Sequence, residues 1–278
     1  MIRKFRLINR NGVSWDLNTK TSLYHSIDGF GCREGTQYEQ IGSDFIPLEE
    51  LFCQSVMTGR IFFGGKDAYV NYRDFSRFVR AVPLILLYQV GETYRIPVRL
   101  TELGKSELIQ GGVGLDCDVT FTATGLIYKN VSAYSGTVAF GGKIYPYKYD
   151  YTYADVTQNT LVIDSDSYED SPCKVTICGP CINPIWKHYV DNVLYETGRY
   201  EGIIPDGNKL VIDTTQIPYS ITERGASDAI VADRYQMCDF TTERFFHLQH
   251  GSNRISVGHD GLNMLYVMVE GRISYETI

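Results

Sequence analysis

Residues 174–189 read KVTICGPCINPIWKHY, and they place Cys178 and Cys181 in a C-x-x-C, with Cys173 upstream and His188 downstream. Thiols at this spacing serve two chemistries. A structural zinc site takes four ligands, commonly from two such pairs. This sequence supplies one pair, and His188 stands seven residues on with Pro184 between. A redox C-x-x-C of the thioredoxin kind opens a helix after a strand, whereas Gly179, Pro180 and Pro184 break any helix here. The cysteines therefore read as structural thiols, with neither metal nor redox cofactor expected.

Other stretches approach a motif and miss it. In ELGKSEL, Gly104-Lys105-Ser106 copies the tail of a phosphate-binding loop, but Arg99 stands where its first glycine belongs. DSDSYED (164–170) begins like a calcium loop, yet Tyr168 occupies the fifth position and no glycine follows. His247 and His250 would fall on opposite faces of a strand, where they cannot chelate together. H-E-x-x-H, G-x-S-x-G and G-x-G-x-x-G do not occur. No catalytic, cofactor-binding or metal-ligating residue is nominated.

The elements that would hold any site are mostly strands. LDCDVTFTA (115–123) sets Leu115, Cys117, Val119, Phe121 and Ala123 against a polar face, and TYRIPVRL (93–100) sets Tyr94, Ile96, Val98 and Leu100 against Arg95, Pro97 and Arg99. Such period-two alternation marks half-buried antiparallel strands. Pro97 points to an edge or a bulge, and Asn11-Gly12 after KFRLIN signals a two-residue hairpin. One helix is expected over NYRDFSRFVRAVP (71–83), with Asn71 as its cap, Pro83 as its stop, and Tyr72, Phe75, Phe78, Val79 and Val82 facing the core. Arg73, Arg77 and Arg80 share the opposite face, a solvated surface or a partner contact.

The second half shows only strand patterns: YPYKYDYTY (145–153) with five alternating tyrosines, KLVID (209–213), RISV (254–257) and MLYVMVEGRISY (264–275). Short strands with Asp206-Gly207 and Asp260-Gly261 turns imply a β-sandwich. The chain of 278 residues carries a net charge of −7, which argues against general nucleic-acid binding. Residues 1–130 hold 15 Lys and Arg against 14 Asp and Glu, and residues 131–278 hold 11 against 19, a first sign of two units. The opening MIRKFRLINRNG lacks an apolar core, so no secretory signal is expected, and AVPLILLYQV (81–90) is too short to span a bilayer. Seven cysteines without an export signal suggest reduced thiols.

From end to end the sequence resembles the distal tail proteins of siphophages, the Dit family. FRLINRNGVSWDLN resembles the family's start, GRIFFGGKDAYVNYRDFSRFVRAVPLILLY leading to YRIPVRLTELGKSEL its middle, and LDCDVTFTATGLIYKN the end of its first domain. YPYKYDYTY resembles the opening of the second domain, VTICGPCINPIWKHY a segment carrying Gly179-Pro180 and Asn183-Pro184, and KLVIDT and FFHLQHGSNRISV its late strands.

The resemblance implies a mainly β fold with one flanking helix near 71–82: a split β-barrel like tail-tube subunits over residues 1–132, then a galectin-like β-sandwich over 133–278. It implies a structural, non-enzymatic subunit of a hexameric ring at the tail tip of a virion, prophage particle or tail-like bacteriocin, assembled in the bacterial cytoplasm. Expected partners are the tail tube protein, the tail-associated lysin or hub protein, and a receptor-binding protein or baseplate adaptor, without nucleic-acid specificity or membrane insertion. Arg73, Arg77 and Arg80 are the candidate partner interface. The rival reading is a carbohydrate-binding module for host-surface glycans, drawn from the sandwich and the abundant aromatic residues; a hydrolase is a third.

Overall fold

The computed structural model describes residues 3–31, 34–52, 54–106, 114–135, 158–239, 245–261 and 265–277. The tyrosine-rich segment 145–153 lies outside these described residues. The chain divides into two compact units, Met1–Lys129 with Ser274–Ile278, and Asn130–Ile273.

The first unit contains β1 (Lys4–Ile8), β2 (Ser14–Asp16), β3 (Ser22–Asp28), β4 (Glu34–Ile41), β5 (Asp44–Phe52), β6 (Val56–Gly64), α1 (Ala68–Phe78), β7 (Leu84–Val90), β8 (Glu92–Leu103), β9 (Gly114–Ala123) and the start of β10 (Ile127–Tyr134). An antiparallel ladder runs β2–β1–β7–β8–β9–β6–β3. It does not close; an isolated bridge, Asn18↔Leu23, marks where the chain beyond β2 meets β3. The alternation of β9 is realised: Leu115, Cys117, Val119, Phe121 and Ala123 are buried, and Asp118 is exposed. They join Leu7, Ile61, Phe63, Leu84 and Leu86 in one core that α1 covers through Phe75 and Phe78.

Three local expectations are corrected. Asn11-Gly12 does turn the chain, with Gly12 at φ +74°, but Ile8 pairs with Ser14, so the loop spans five residues. The side chain of Asn9 organises it, its Oδ1 accepting from the amides of Asn11 and Val13 at 3.1 Å each. The helix spans Ala68–Phe78, three residues earlier than expected: Asp67 holds the N-cap position without a side-chain bond, Asn71 lies inside, and Val79 closes the last turn. Val82 therefore falls beyond the helix and is 45% exposed. Pro97 lies neither on an edge strand nor at a bulge. Its strand β8 pairs β7 on one side, while on the other its partner changes from β10, at Arg95, to β9, from Val98 onward. Pro97 occupies that break, the one stretch of the ladder where a missing N–H forfeits no bond.

The second unit contains β11 (Gln158–Ser165), β12 (Ser171–Cys178), β13 (Cys181–Ile182), β14 (Ile185–Val190), β15 (Val193–Arg199), β16 (Ile203–Ile204), β17 (Lys209–Asp213), β18 (Ser220–Arg224), β19 (Ile230–Asp233), β20 (His247–Leu248), β21 (Gly251–Gly258) and most of β22 (Tyr266–Tyr275). One antiparallel sheet runs β19–β18–β17–β12–β22, and β20 pairs the start of β12; the other runs β11–β21–β14–β15. Val175, Ile177, Leu210, Ile212, Ile221, Val267 and Val269 from the first sheet meet Leu161, Ile163, Trp186, Ile255 and Val257 from the second in a single core. Two sheets sharing one apolar interior form a β-sandwich. Among the described residues the fold is thus mainly β with one α-helix, as the sequence patterns require.

Candidate functional site: the helix face and the sheet crossover

The C-x-x-C segment is the corner where the chain leaves one sheet of the sandwich, through β12, for the other, through β14. Four residues set the corner. Gly179 packs so tightly that a Cβ there would lie 2.1 Å from the Pro205 carbonyl oxygen. The Gly179–Pro180 peptide bond is cis. Asn183 adopts a left-handed φ of +47°, which asparagine tolerates better than most residues. Its Nδ2 donates to Asp260 Oδ2 and its Oδ1 accepts from the amide of Gly202, each at 2.9 Å. The Pro184 carbonyl accepts from the Tyr200 amide at 3.0 Å.

The thiols fill space around this corner. Cys173 and Cys181 are buried, and burial pushes their thiols up to about 12 and about 11; Cys178, half-buried, is raised by the same cause. Thiols held this high carry almost no nucleophilic thiolate near neutral pH. His188 is fully buried, and its Nε2 lies 3.0 Å from Asn253 Oδ1. Burial lowers its pKa against the opposing effect of that bond. No group of three or more potential metal ligands occurs among the described residues.

The near-motifs have structural partners. Ser106 accepts the amide of Asp116 at 2.9 Å, and the Lys105 ammonium sits 5.3 Å over the Tyr69 ring. Asp164 accepts the Ser252 hydroxyl at 2.8 Å. His247 meets Tyr219 edge-on at 5.4 Å, while His250 bonds the Ser167 carbonyl. Trp186 is fully buried against Phe246, and Trp15, partly buried, packs on Phe75 and Phe78.

An arrangement absent from the sequence reading lies on the outer face of β3, β6 and β9. His25 Nδ1 is 3.0 Å from Ser26 Oγ and its Nε2 is 2.9 Å from Asp116 Oδ1, an alignment that resembles a catalytic triad. Arg60 overrides it. Its Nη1 pairs with Asp116 Oδ2 at 3.0 Å, its Nη2 donates to the Asp116 carbonyl and its Nε pairs with Asp118 at 3.2 Å. The group is a cross-strand charge ladder, His25 opposite Arg60 and Arg60 opposite Asp118. A second hidden cluster is the buried Glu223, clasped by Arg234 at 2.6 Å and Asn208. These partners are distant in sequence, so no short motif announces them.

Arg73 and Arg77 project from the outer side of α1, 61% and 69% exposed, and share Asp74 at 3.9 and 3.6 Å. Arg80, exposed as well, stands in the turn after the helix. Tyr69 and Val70, 45% and 43% exposed, continue the same side. This face of the first unit thus combines exposed cations with exposed apolar groups.

The described residues thus form a mainly β chain of two units, one a laddered sheet covered by a helix and the other a two-sheet sandwich with its own core. Residues 4–124 match the family model described as "Distal tail protein, N-terminal domain". The fold corresponds over 100% of both chains, at TM-score 0.63 and 13% identity, to a structure of the phage P2 baseplate in its activated conformation with Ca. It corresponds over 96% of this chain and 98% of the other, at TM-score 0.61 and 9% identity, to the Dit protein of phage SPP1, described as a hub adsorption apparatus in phages infecting Gram-positive hosts. No curated protein matches the sequence itself.

Proposed function

We propose that this chain is the structural hub subunit of a phage tail tip. The observation that carries the reading is the coincidence of a distal tail domain at residues 4–124 with a baseplate-protein fold over the whole chain. In this reading six copies close head-to-tail through heterologous contacts into a ring. Residues 1–132 form its channel-side split barrel, and residues 133–278 form an outward galectin-like sandwich. The ring joins the tail tube protein to the tail-associated lysin or hub protein and bears a receptor-binding protein or baseplate adaptor. The subunit performs no catalysis and holds no cofactor or metal; the inert thiols and the ion-paired Asp116 support this. It resides in the virion tail tip after assembly in the host cytoplasm. Negative-stain images of the full chain mixed with its tube protein are expected to show six-fold rings capping tubes; tubes without a ring overturn the proposal.

A further inference from the structure

The β4–β5 hairpin is an unusual element of the first unit. Its two strands pair with each other and, among the described residues, with no third strand. An isolated two-stranded hairpin is marginal in water. This one also exposes large apolar groups: Tyr38 59%, Ile41 57%, Phe45 64%, Ile46 46% and Leu48 62%. Residues 34–52 contain five carboxylates and no lysine or arginine. Cross-strand register puts Glu39 opposite Ile46 and Ile41 opposite Asp44, so one face combines two carboxylates with two exposed aliphatic groups.

The outer side of α1 is the complement. Tyr69, Arg73 and Arg77 recur at four-residue steps along one stripe, with Val70 beside them. Arg80 and Lys105 add exposed cations, and a single carboxylate, Asp74, serves two guanidiniums. The charge spacings are similar: Arg73 and Arg77 are separated by a rise of about 6 Å, and Glu39 and Asp44, diagonal across the register, by about 7–8 Å. Apolar groups lie beside charges of opposite sign on both surfaces.

We propose that the acidic face of the β4–β5 hairpin, Glu39, Ile41, Asp44 and Ile46, docks on the Tyr69–Arg73–Arg77 stripe of α1 in a second copy of this chain. The contact is heterologous, hairpin to helix, so each copy both gives and receives one, which is what a closed ring requires. The proposal rests on the ring reading and names the surfaces that meet. It also assigns the arginine face its partner: the hairpin of a neighbouring first unit, not the acidic excess of residues 131–278.

The test is charge exchange in the full chain, with mass read by light scattering across a range of concentrations and salt. Arg73→Glu/Arg77→Glu and Glu39→Lys/Asp44→Lys are each expected to keep the wild-type melting temperature and to weaken association by about 10- to 100-fold per contact, since attraction becomes repulsion. The four-fold variant carrying both exchanges restores opposite charges and is expected to recover most of the association. If the wild type assembles and both paired variants assemble as well, the hairpin–helix contact is overturned while the ring stands. Loss in both without recovery in the four-fold variant also overturns it. A wild type that stays monomeric at every concentration overturns the ring reading and the contact with it.

Discussion

Replacing Gly198 by alanine adds one methyl group at a position with no room for it. Gly198 faces Trp186 across β14 and β15, and a Cβ there would lie 2.2–2.3 Å from Cε2, Cζ2 and Nε1 of the indole. Ordinary contact needs about 3.5 Å, so ring or strand must yield by more than 1 Å. The indole is fully buried against Phe246 and has nowhere to retreat. Overpacking a tight core costs about 1–3 kcal/mol. Expulsion of the ring forfeits about 200 Å² of burial, or about 5 kcal/mol at about 25 cal/mol per Å². Opposing this, alanine restricts the unfolded chain and contributes about 0.4–1 kcal/mol. A net loss of about 2–4 kcal/mol is expected. Urea unfolding followed by tryptophan fluorescence in a Trp15→Phe background isolates Trp186, whose emission should also shift to the red. In a Trp186→Leu background the clashing atoms are absent, so the alanine should cost less than about 1 kcal/mol, a coupling of the size seen between touching residues. A neutral Gly198→Ala, or an equal cost in both backgrounds, would refute the close-contact argument.

Further perturbations have defined outcomes. Phe75→Ala, which empties a fully buried site among Trp15, Phe63 and Phe78, should cost about 3–5 kcal/mol in urea unfolding; Val82→Ala, at a half-open position, should cost less than about 0.5 kcal/mol. Arg234→Ala strands the buried Glu223 carboxylate and should cost about 3–5 kcal/mol at neutral pH, measured as the shift in denaturation midpoint. Burial pushes Glu223 upward, but the bonds from Arg234 and Asn208 outweigh it and hold its pKa below the ordinary value. The stability it supplies is present above the ordinary carboxyl range and lost as pH falls through the folded value. A melting-temperature profile should therefore drop at acid pH in the wild type and less in Glu223→Gln. His188 behaves alike in a higher window: burial lowers its pKa, so the unfolded chain takes up its proton first, and stability declines as pH falls below the ordinary histidine value. His188→Gln should flatten the profile there.

The sequence made legible what repeats locally. Alternation in β9 and the apolar stripe of α1 through Phe75 and Phe78 follow from side-chain period alone. Boundaries were less legible. Asn71 looks like a cap, but the helix starts at Ala68 with Asp67 at the N-cap position. Pro97 suggested an edge because sequence does not reveal where a strand changes partners. The polar ladder of His25, Arg60 and Asp116 and the Glu223–Arg234 clasp depend on residues brought together from different strands. That no helix follows the C-x-x-C was legible from Gly179, Pro180 and Pro184; the corner it makes between two sheets was not.

Ser274–Ile278 belong to the first unit, where Tyr275 packs edge-on to Tyr94 at 5.6 Å. The 144 residues from Asn130 to Ile273 are synthesised in between, which at about 5–20 residues per second takes roughly 7–30 s. Through that interval the nascent first unit lacks Ser274 and Tyr275, and the edge contact on Tyr94 waits until the residues of the second unit have been added. The first unit is therefore discontinuous in the chain: a stretch as long as a whole domain is made between two of its touching aromatic rings.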